Sequence, residues 1–157
     1  MTGMHVILTT DGSRQSLPAA RKFKSFADPD KVSDISVIAV VRPLAAVGFS
    51  DDLGPSKASK FESLDFRKAA ESAVASVADE FTDWGPQVHK RIRSGSPANE
   101  IIKAASQLGA GLIVVASGGR GLSDTVLMGS TAQRIQHYAP CPVLVVRPTP
   151  RKPRRKA

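Results

Sequence analysis

Short apolar runs rich in β-branched residues alternate with segments of helical period along nearly the whole chain. The runs are HVILTT (residues 5–10), ISVIAVV (35–41), VHKRIR (88–93), GLIVVAS (111–117) and CPVLVVR (141–147). Parallel strands need crossover connections, and a helix is the usual crossover. The order therefore predicts an α/β domain with a doubly wound, five-stranded parallel sheet and helices on both faces, a Rossmann-like architecture.

Four helices are predicted between these strands, because apolar residues recur there at three- or four-residue spacing. Their apolar positions are Leu17, Ala20, Phe23 and Ala27; Ala70, Val74, Val77 and Phe81; Ile101, Ala105 and Leu108; and Met128, Ala132 and Ile135. The third helix has the clearest ends, since Ser96 suits its N-cap, Pro97 its first turn and Gly109 its stop. The polar, Gly- and Pro-containing residues 42–59 predict a long loop, either a lid or a disordered insert.

The formal charge of +8 on 157 residues is unevenly distributed. The last seven residues, RKPRRKA, carry five basic side chains, so +8 less +5 leaves +3 for the rest. We therefore predict one domain over residues 1–148 and a disordered basic tail over residues 149–157. A short basic tail is more often solvated than bound to nucleic acid, so a nucleic-acid partner is the less favoured interpretation.

Cysteine content and hydropathy place the chain in a reducing interior. Cys141 is the single cysteine, which excludes an intramolecular disulfide framework and predicts a small buried side chain. The apolar run near the N-terminus is too short for a signal-peptide core, and no run approaches the ~20 residues of a membrane span. A cytoplasmic location is the resulting expectation.

Two loops are candidates for chemistry, because ligands of open parallel sheets bind beyond the carboxyl ends of the strands. They are TTDGS (residues 9–13) and ASGGRG (residues 116–121). Glycines allow backbone N–H groups to converge on an anion, and a helix N-terminus adds further donors. The spacing fits neither a P-loop nor a GxGxxG dinucleotide motif, so it leaves a plain turn and a phosphate site equally open.

No catalytic set is evident from the residue types. His5 begins a strand, His89 lies on the strand that alternates polar and apolar residues, and His137 ends a helix, so no Ser-His-Asp arrangement can be argued. We predict no catalytic residue and no protein metal cluster.

Four segments together resemble the universal stress protein family, whose fold is adenine nucleotide alpha hydrolase-like. They are HVILTTDGS, SGSPANEIIKAA, LIVVASGGRG and LMGSTAQRIQHYAPCPVLVVR, and they span nearly the whole chain. Nucleotide-binding members carry G-x2-G-x9-G-[ST]; here Gly119, Gly129 and Ser130 match its second half, and Ala116 takes the place of its first glycine.

The resemblance implies a stress-response module that binds ATP, with Mg²⁺ or Mn²⁺, in the crevice between the first and fourth strands. It implies a binding protein with at most slow ATP hydrolysis. The implied contacts are Thr9, Thr10 and Asp11 at the ribose, Val40 at the adenine, Val115 and Ala116 beside the base and ribose, and Gly119, Gly129, Ser130 and Thr131 at the phosphates. Some members of the family lack the motif and bind no ATP, so an interaction protein of the same fold with an empty crevice is the alternative.

The fifth strand predicts a partner. It is apolar at successive positions, yet the last strand of this topology should lie at the sheet edge, where unpaired backbone groups invite another strand. In the family that the chain resembles, two subunits meet through this strand. The expectation is a homodimer formed through residues 141–147, with Pro142 tolerated at the start of the strand.

Overall fold

A computed structural model describes residues 3–11, 16–42, 57–117 and 129–147. The elements in chain order are β1 (Met4–Thr10), α1 (Ser16–Phe26), a 3-10 turn (Pro29–Lys31), β2 (Val32–Val41), α2 (Lys57–Asp79), β3 (Gln87–Ser94), α3 (Pro97–Leu108), β4 (Leu112–Ala116), α4 (Ser130–Tyr138) and β5 (Val143–Val146). The five strands are parallel and lie in the order β3-β2-β1-β4-β5. The predicted doubly wound five-stranded parallel sheet is confirmed.

The sheet is buried on both faces. Val6 and Leu8 of β1 pack with α1 and α2 around Phe23, whereas Ile7 between them packs with α3 and α4 around Ile101. Successive side chains of a strand point to opposite faces, so a strand covered on both sides has no polar face to present to water. This explains why the central runs of the sequence are apolar without alternation.

The connection between the two halves of the sheet creates a crevice. From β1 the chain builds β2 and β3 on one side, and then returns to place β4 and β5 on the other side. β4 pairs directly with β1, with Leu8 opposite Val114. The carboxyl ends of β1 and β4 therefore mark the topological switch point, where open α/β sheets bind ligands.

Several boundaries differ from the sequence prediction, and those of α2 and β5 differ for identifiable reasons. α2 begins at Lys57, so residues 57–59 of the predicted loop are helical, and Phe81 is buried just beyond the end of this helix. Lys57 and Ala58 are good helix formers, but the glycine, proline and serine directly before them had indicated a loop. β5 covers only Val143–Val146, because Pro142 has no N–H to donate to a strand.

Several predictions fall outside the described residues. These are the lid or insert over residues 43–56, Met128 at the fourth helix, and the basic tail. Within the described part of the chain, no helix combines the length and the apolar character that crossing a membrane requires.

Candidate functional site

The first wall of the crevice is the end of β1. Thr9 Oγ1 donates to the carbonyl oxygen of Val114 at 3.2 Å, which ties β1 to β4 near the switch point. Asp11 follows β1 directly, and its Oδ1 accepts a hydrogen bond of 3.0 Å from Ser16 Oγ at the start of α1. This hydrogen bond holds the Asp11 carboxylate at the carboxyl edge of the sheet.

The second wall is the start of α4. Gly129 N–H donates to the carbonyl oxygen of Ser117 at 2.7 Å, which brings the helix start against the end of β4. Gly129 is the N-cap, and it supplies no side-chain cap for the N–H groups that follow. The first N–H groups of a helix lack intrahelical acceptors, and with Ser130 and Thr131 they form a group of donors suited to an anion. Gly119, the other predicted phosphate contact, lies outside the described residues.

The remaining predicted contacts lie on the three central strands. Val40 and Val115 both pack into the apolar cluster under α3 and α4, so they share one face of the sheet. Thr10 is buried and pairs with Ala39 in β2. Ala116 ends β4 opposite Val146, and Asp83 is the only described non-glycine residue with a positive φ, so the backbone of Ala116 is unstrained.

A cavity of about 490 Å³ opens between the first turns of α3 and the body of α4. This volume lies in the ~300–1,000 Å³ range usual for small-molecule sites. The residues that give it its chemistry are Arg42, Ser96, Ser130, Thr131, Arg134 and His137. Two of these side chains are arginines and one is a histidine, and no carboxylate occurs among the described residues that line the cavity. The cavity is therefore suited to an anionic ligand.

A glycine turn allows α3 to reach this cavity. Gly95 has a φ of 147°, and a Cβ at this position would lie 2.8 Å from the Glu100 side chain. Its N–H donates to the carbonyl oxygen of Val41 at 3.0 Å, which sets the start of α3 beside the end of β2. Ser96 is the N-cap as predicted, and its side chain makes no capping hydrogen bond.

Glu100, the acidic residue in the first turn of α3, pairs with basic side chains that do not line the cavity. Glu100 Oε2 accepts from Arg93 Nε at 3.0 Å, and Lys103 Nζ lies 3.5 Å from Glu100 Oε1. The hydrogen bond from Arg93 is the main reason why the pKa of Glu100 is lowered. Its charge therefore does not oppose an anion in the cavity.

A second polar cluster lies at the opposite, amino-terminal end of the strands, and the sequence analysis missed it. His5 Nε2 is hydrogen-bonded to Ser36 Oγ at 2.8 Å, His89 Nε2 donates to Asp34 Oδ1 at 3.0 Å, and the two imidazole rings are 6.2 Å apart. The hydrogen bond from His89 lowers the pKa of Asp34, whereas burial lowers that of His5. Among the described residues there is no group of three or more His, Cys, Asp or Glu placed to hold a metal ion.

Only the strand register could have revealed this cluster. His5 pairs with Asp34, and Ser36 pairs with His89, across three strands that are distant in sequence. The prediction for Cys141 was closer to the structure. Cys141 packs against the apolar cluster under α3 and α4, although it is only partly buried. Burial raises the pKa of its thiol.

The fold defines an open, doubly wound α/β protein, a class that binds ligands at the switch point of the sheet. The sequence model of the Universal stress protein family matches residues 4–147, and the chain belongs to that family. A curated relative, Universal stress protein MJ0531 of Methanocaldococcus jannaschii, is 32% identical over 144 residues, which are 90% of this chain and 81% of the relative.

Solved structures share the fold. Universal stress protein UspA from Lactobacillus plantarum is similar with a TM-score of 0.71 and 24% identity, covering 94% of this chain and 99% of that one. A universal stress protein in complex with cAMP has a TM-score of 0.65 and 21% identity, covering 91% and 96%. A family protein from Arabidopsis thaliana with AMP bound has a TM-score of 0.62 and 16% identity, covering 93% and 92%.

Proposed function

We propose that this protein binds an adenine nucleotide, ATP in the first instance, in the cleft at the carboxyl ends of β1 and β4. Asp11 with Thr9 and Thr10 would contact the ribose. Val40 would pack on the adenine, and Val115 and Ala116 would border both the base and the ribose. Gly119, Gly129, Ser130 and Thr131 would hold the phosphates. The protein would act as a stress-response signalling module rather than as an enzyme.

One observation carries this proposal. The uncapped start of α4 lies 2.7 Å from the end of β4, as measured from Gly129 N to Ser117 O, and its hydroxyl residues line a cavity that also holds two arginines and a histidine. Backbone donors at a helix start, with hydroxyls and cations beside them, form a general phosphate site. The AMP and cAMP complexes of family members support an adenylate as the ligand.

A divalent cation, Mg²⁺ or Mn²⁺, belongs to the proposal as the companion of the triphosphate. Such an ion keeps several waters and is held mostly by phosphate oxygens with few protein ligands. The hydroxyls of Ser130 and Thr131 are the ligand type that phosphate-binding loops offer it. When bound, the ion would neutralise phosphate charge.

Calorimetric titration of ATP into wild-type protein and a Gly129→Glu variant tests the proposal. Gly129 has φ −58° and ψ 153°, values that any residue adopts, and a carboxylate at a helix N-terminus stabilises the helix. The variant should therefore fold, but its charge should repel the phosphates and abolish measurable binding. Ser106→Glu, on an exposed position near the end of α3, adds the same charge far from the cleft and should bind ATP like the wild type.

Two results would contradict the proposal. The first is equal ATP binding by the wild type and Gly129→Glu. The second is a folded wild type that releases no heat with ATP, ADP, AMP or cAMP at millimolar concentration. The second result would favour an interaction protein of the same family that works without a nucleotide.

A further inference from the structure

The cavity between α3 and α4 carries more positive charge than the two helix starts provide. Arg42, directly after β2, and Arg134 on α4 both line it. The ion pairs of the described residues include neither Arg42 nor Arg134. Two guanidinium groups therefore face one cavity without a carboxylate partner in the described part of the chain.

Arg134 is held in place by neutral groups. Its Nε donates to Asn99 Oδ1 at 3.2 Å, and its Cζ lies 5.6 Å from the ring centroid of Tyr138. The amide and the aromatic ring fix the guanidinium without neutralising it, unlike Arg93, whose charge is matched by Glu100 at 3.0 Å. A positioned arginine with spare donors is suited to bind phosphate in a bidentate manner.

The position of Arg134 relative to the predicted phosphate contacts determines which phosphates of a nucleotide it could bind. Arg134 lies one helical turn beyond Ser130, and Ser130 and Thr131 line the same cavity. If the α-phosphate of a nucleotide bound at the start of α4, the β- and γ-phosphates would lie in this cavity. Arg42, the residue directly after β2, also lines this cavity.

We infer that the cavity between α3 and α4 is a polyphosphate subsite in which Arg134, with Arg42, distinguishes di- and triphosphates from monophosphates. This inference rests on the proposed function and names the determinant of ligand class at the same site. The arginines bind the terminal phosphates, while the backbone donors at the start of α4 bind the phosphate nearest the ribose.

The test titrates ATP, AMP and inorganic tripolyphosphate into the wild type and Arg134→Gln. Arg134 is exposed, so the substitution leaves the core intact. Loss of a charged hydrogen-bond donor should weaken ATP and tripolyphosphate binding by about tenfold or more. AMP affinity should change by less than about twofold, a shift below the energy of a single hydrogen bond. Arg42→Gln should act in the same direction.

Arg67→Gln is the matched control. It removes the same charge from an exposed site on α2, where Arg67 pairs with Glu71 at 3.6 Å, on the opposite face of the sheet. It should leave all three affinities unchanged, which separates a specific contact from a general effect of net charge.

The outcomes separate this inference from the proposed function. Wild-type ATP affinity in both Arg134→Gln and Arg42→Gln would overturn the inference and leave nucleotide binding standing, as would equal losses for AMP and ATP. Binding of tripolyphosphate that depends on Arg134, in a protein that binds no adenylate, would support the inference and refute the proposed function. A wild type that binds neither ATP nor tripolyphosphate would refute both.

Discussion

Ala116 is the residue at which this chain departs from the nucleotide-binding motif of its family. A glycine is indispensable where φ is positive or where a ligand leaves no room for Cβ. Ala116 lies at the end of β4, pairs with Val146, and is not among the described residues with positive φ. Its methyl group therefore imposes no backbone strain, and the motif retains the donors at Gly129 and beyond.

The Ala116→Gly variant tests this reasoning. Restoring the motif glycine should leave ATP affinity unchanged, because there is no strain to relieve. It should lower the free energy of unfolding by roughly 0.5–1 kcal/mol, the usual effect of glycine inside a strand. Urea unfolding and calorimetry measure the two quantities. Ala39→Gly in β2 is the control for loss of a strand alanine; ATP binding tenfold tighter in Ala116→Gly alone would show that the methyl group obstructs the ligand.

At the scale of elements, the amino-terminal ends of β1, β2 and β3 are joined by side chains as well as by the ladder. His5 bonds to Ser36, which is fully buried, and His89 bonds to Asp34. Burial is the main cause of the lowered His5 pKa; Asp34 acts in the opposite direction, and His89 and Arg91 lower it further. Protonation of His5 is therefore less favourable in the folded protein than in the unfolded chain.

The lowered pKa of His5 determines how the free energy of unfolding changes with pH. A histidine whose folded pKa lies below its unfolded value of 6.5 supports folding above that pH, and this support is lost as the pH falls through 6.5 towards the folded pKa. The free energy of unfolding should thus drop between about pH 7.5 and about pH 5.5, and less so in His5→Gln. Asp34 contributes in the same direction only in more acidic solution, since its lowered pKa starts from 3.8.

Urea unfolding at several pH values measures this difference. His137→Gln is the control, because His137 is exposed on α4 and should retain the wild-type pH profile. Parallel profiles for the wild type and His5→Gln would refute a role for His5 in acid sensitivity.

Elements with strong local signals were predictable from sequence, and contacts between elements were not. α3 matches its prediction at both ends, because proline and glycine mark them: Pro97 opens the helix, and Gly109 closes it with φ 61° and ψ 40°. The start of α2 had no such marker. The clusters around His5 and Arg134 depend on register and on helix packing, which join residues 31 and 35 positions apart. Neither strand register nor helix packing can be read directly from a single sequence.

At the scale of the whole molecule, β5 has one edge that no strand of the described residues covers. This strand lies at the edge of the sheet beside β4, and all four of its residues are partly buried. Ile113 N–H donates to Pro142 O at 3.0 Å, and Ser117 N–H donates to Val146 O at 2.9 Å. Backbone groups of alternate residues point to the same edge, so the N–H of Val146 also faces β4, whereas the backbone groups of Val145 face outwards.

We predict that the outward edge of β5 forms the homodimer, and proline substitutions test this edge specifically. Val145→Pro removes an N–H that points away from β4, a position where edge strands tolerate proline. This variant should keep its fold by circular dichroism but elute as a monomer, with light scattering giving half the wild-type mass. Val146→Pro removes an N–H directed at β4 and should instead lower the thermal midpoint, because it breaks the ladder inside the subunit. A wild type that is monomeric at high micromolar concentration, or a Val145→Pro variant that is still dimeric, would place the subunit contact elsewhere or remove it. Val145 and Val146 form a matched pair, because both are partly buried valines that pack against an apolar cluster, Val145 on one face of the sheet and Val146 on the other, while their N–H groups point to opposite edges.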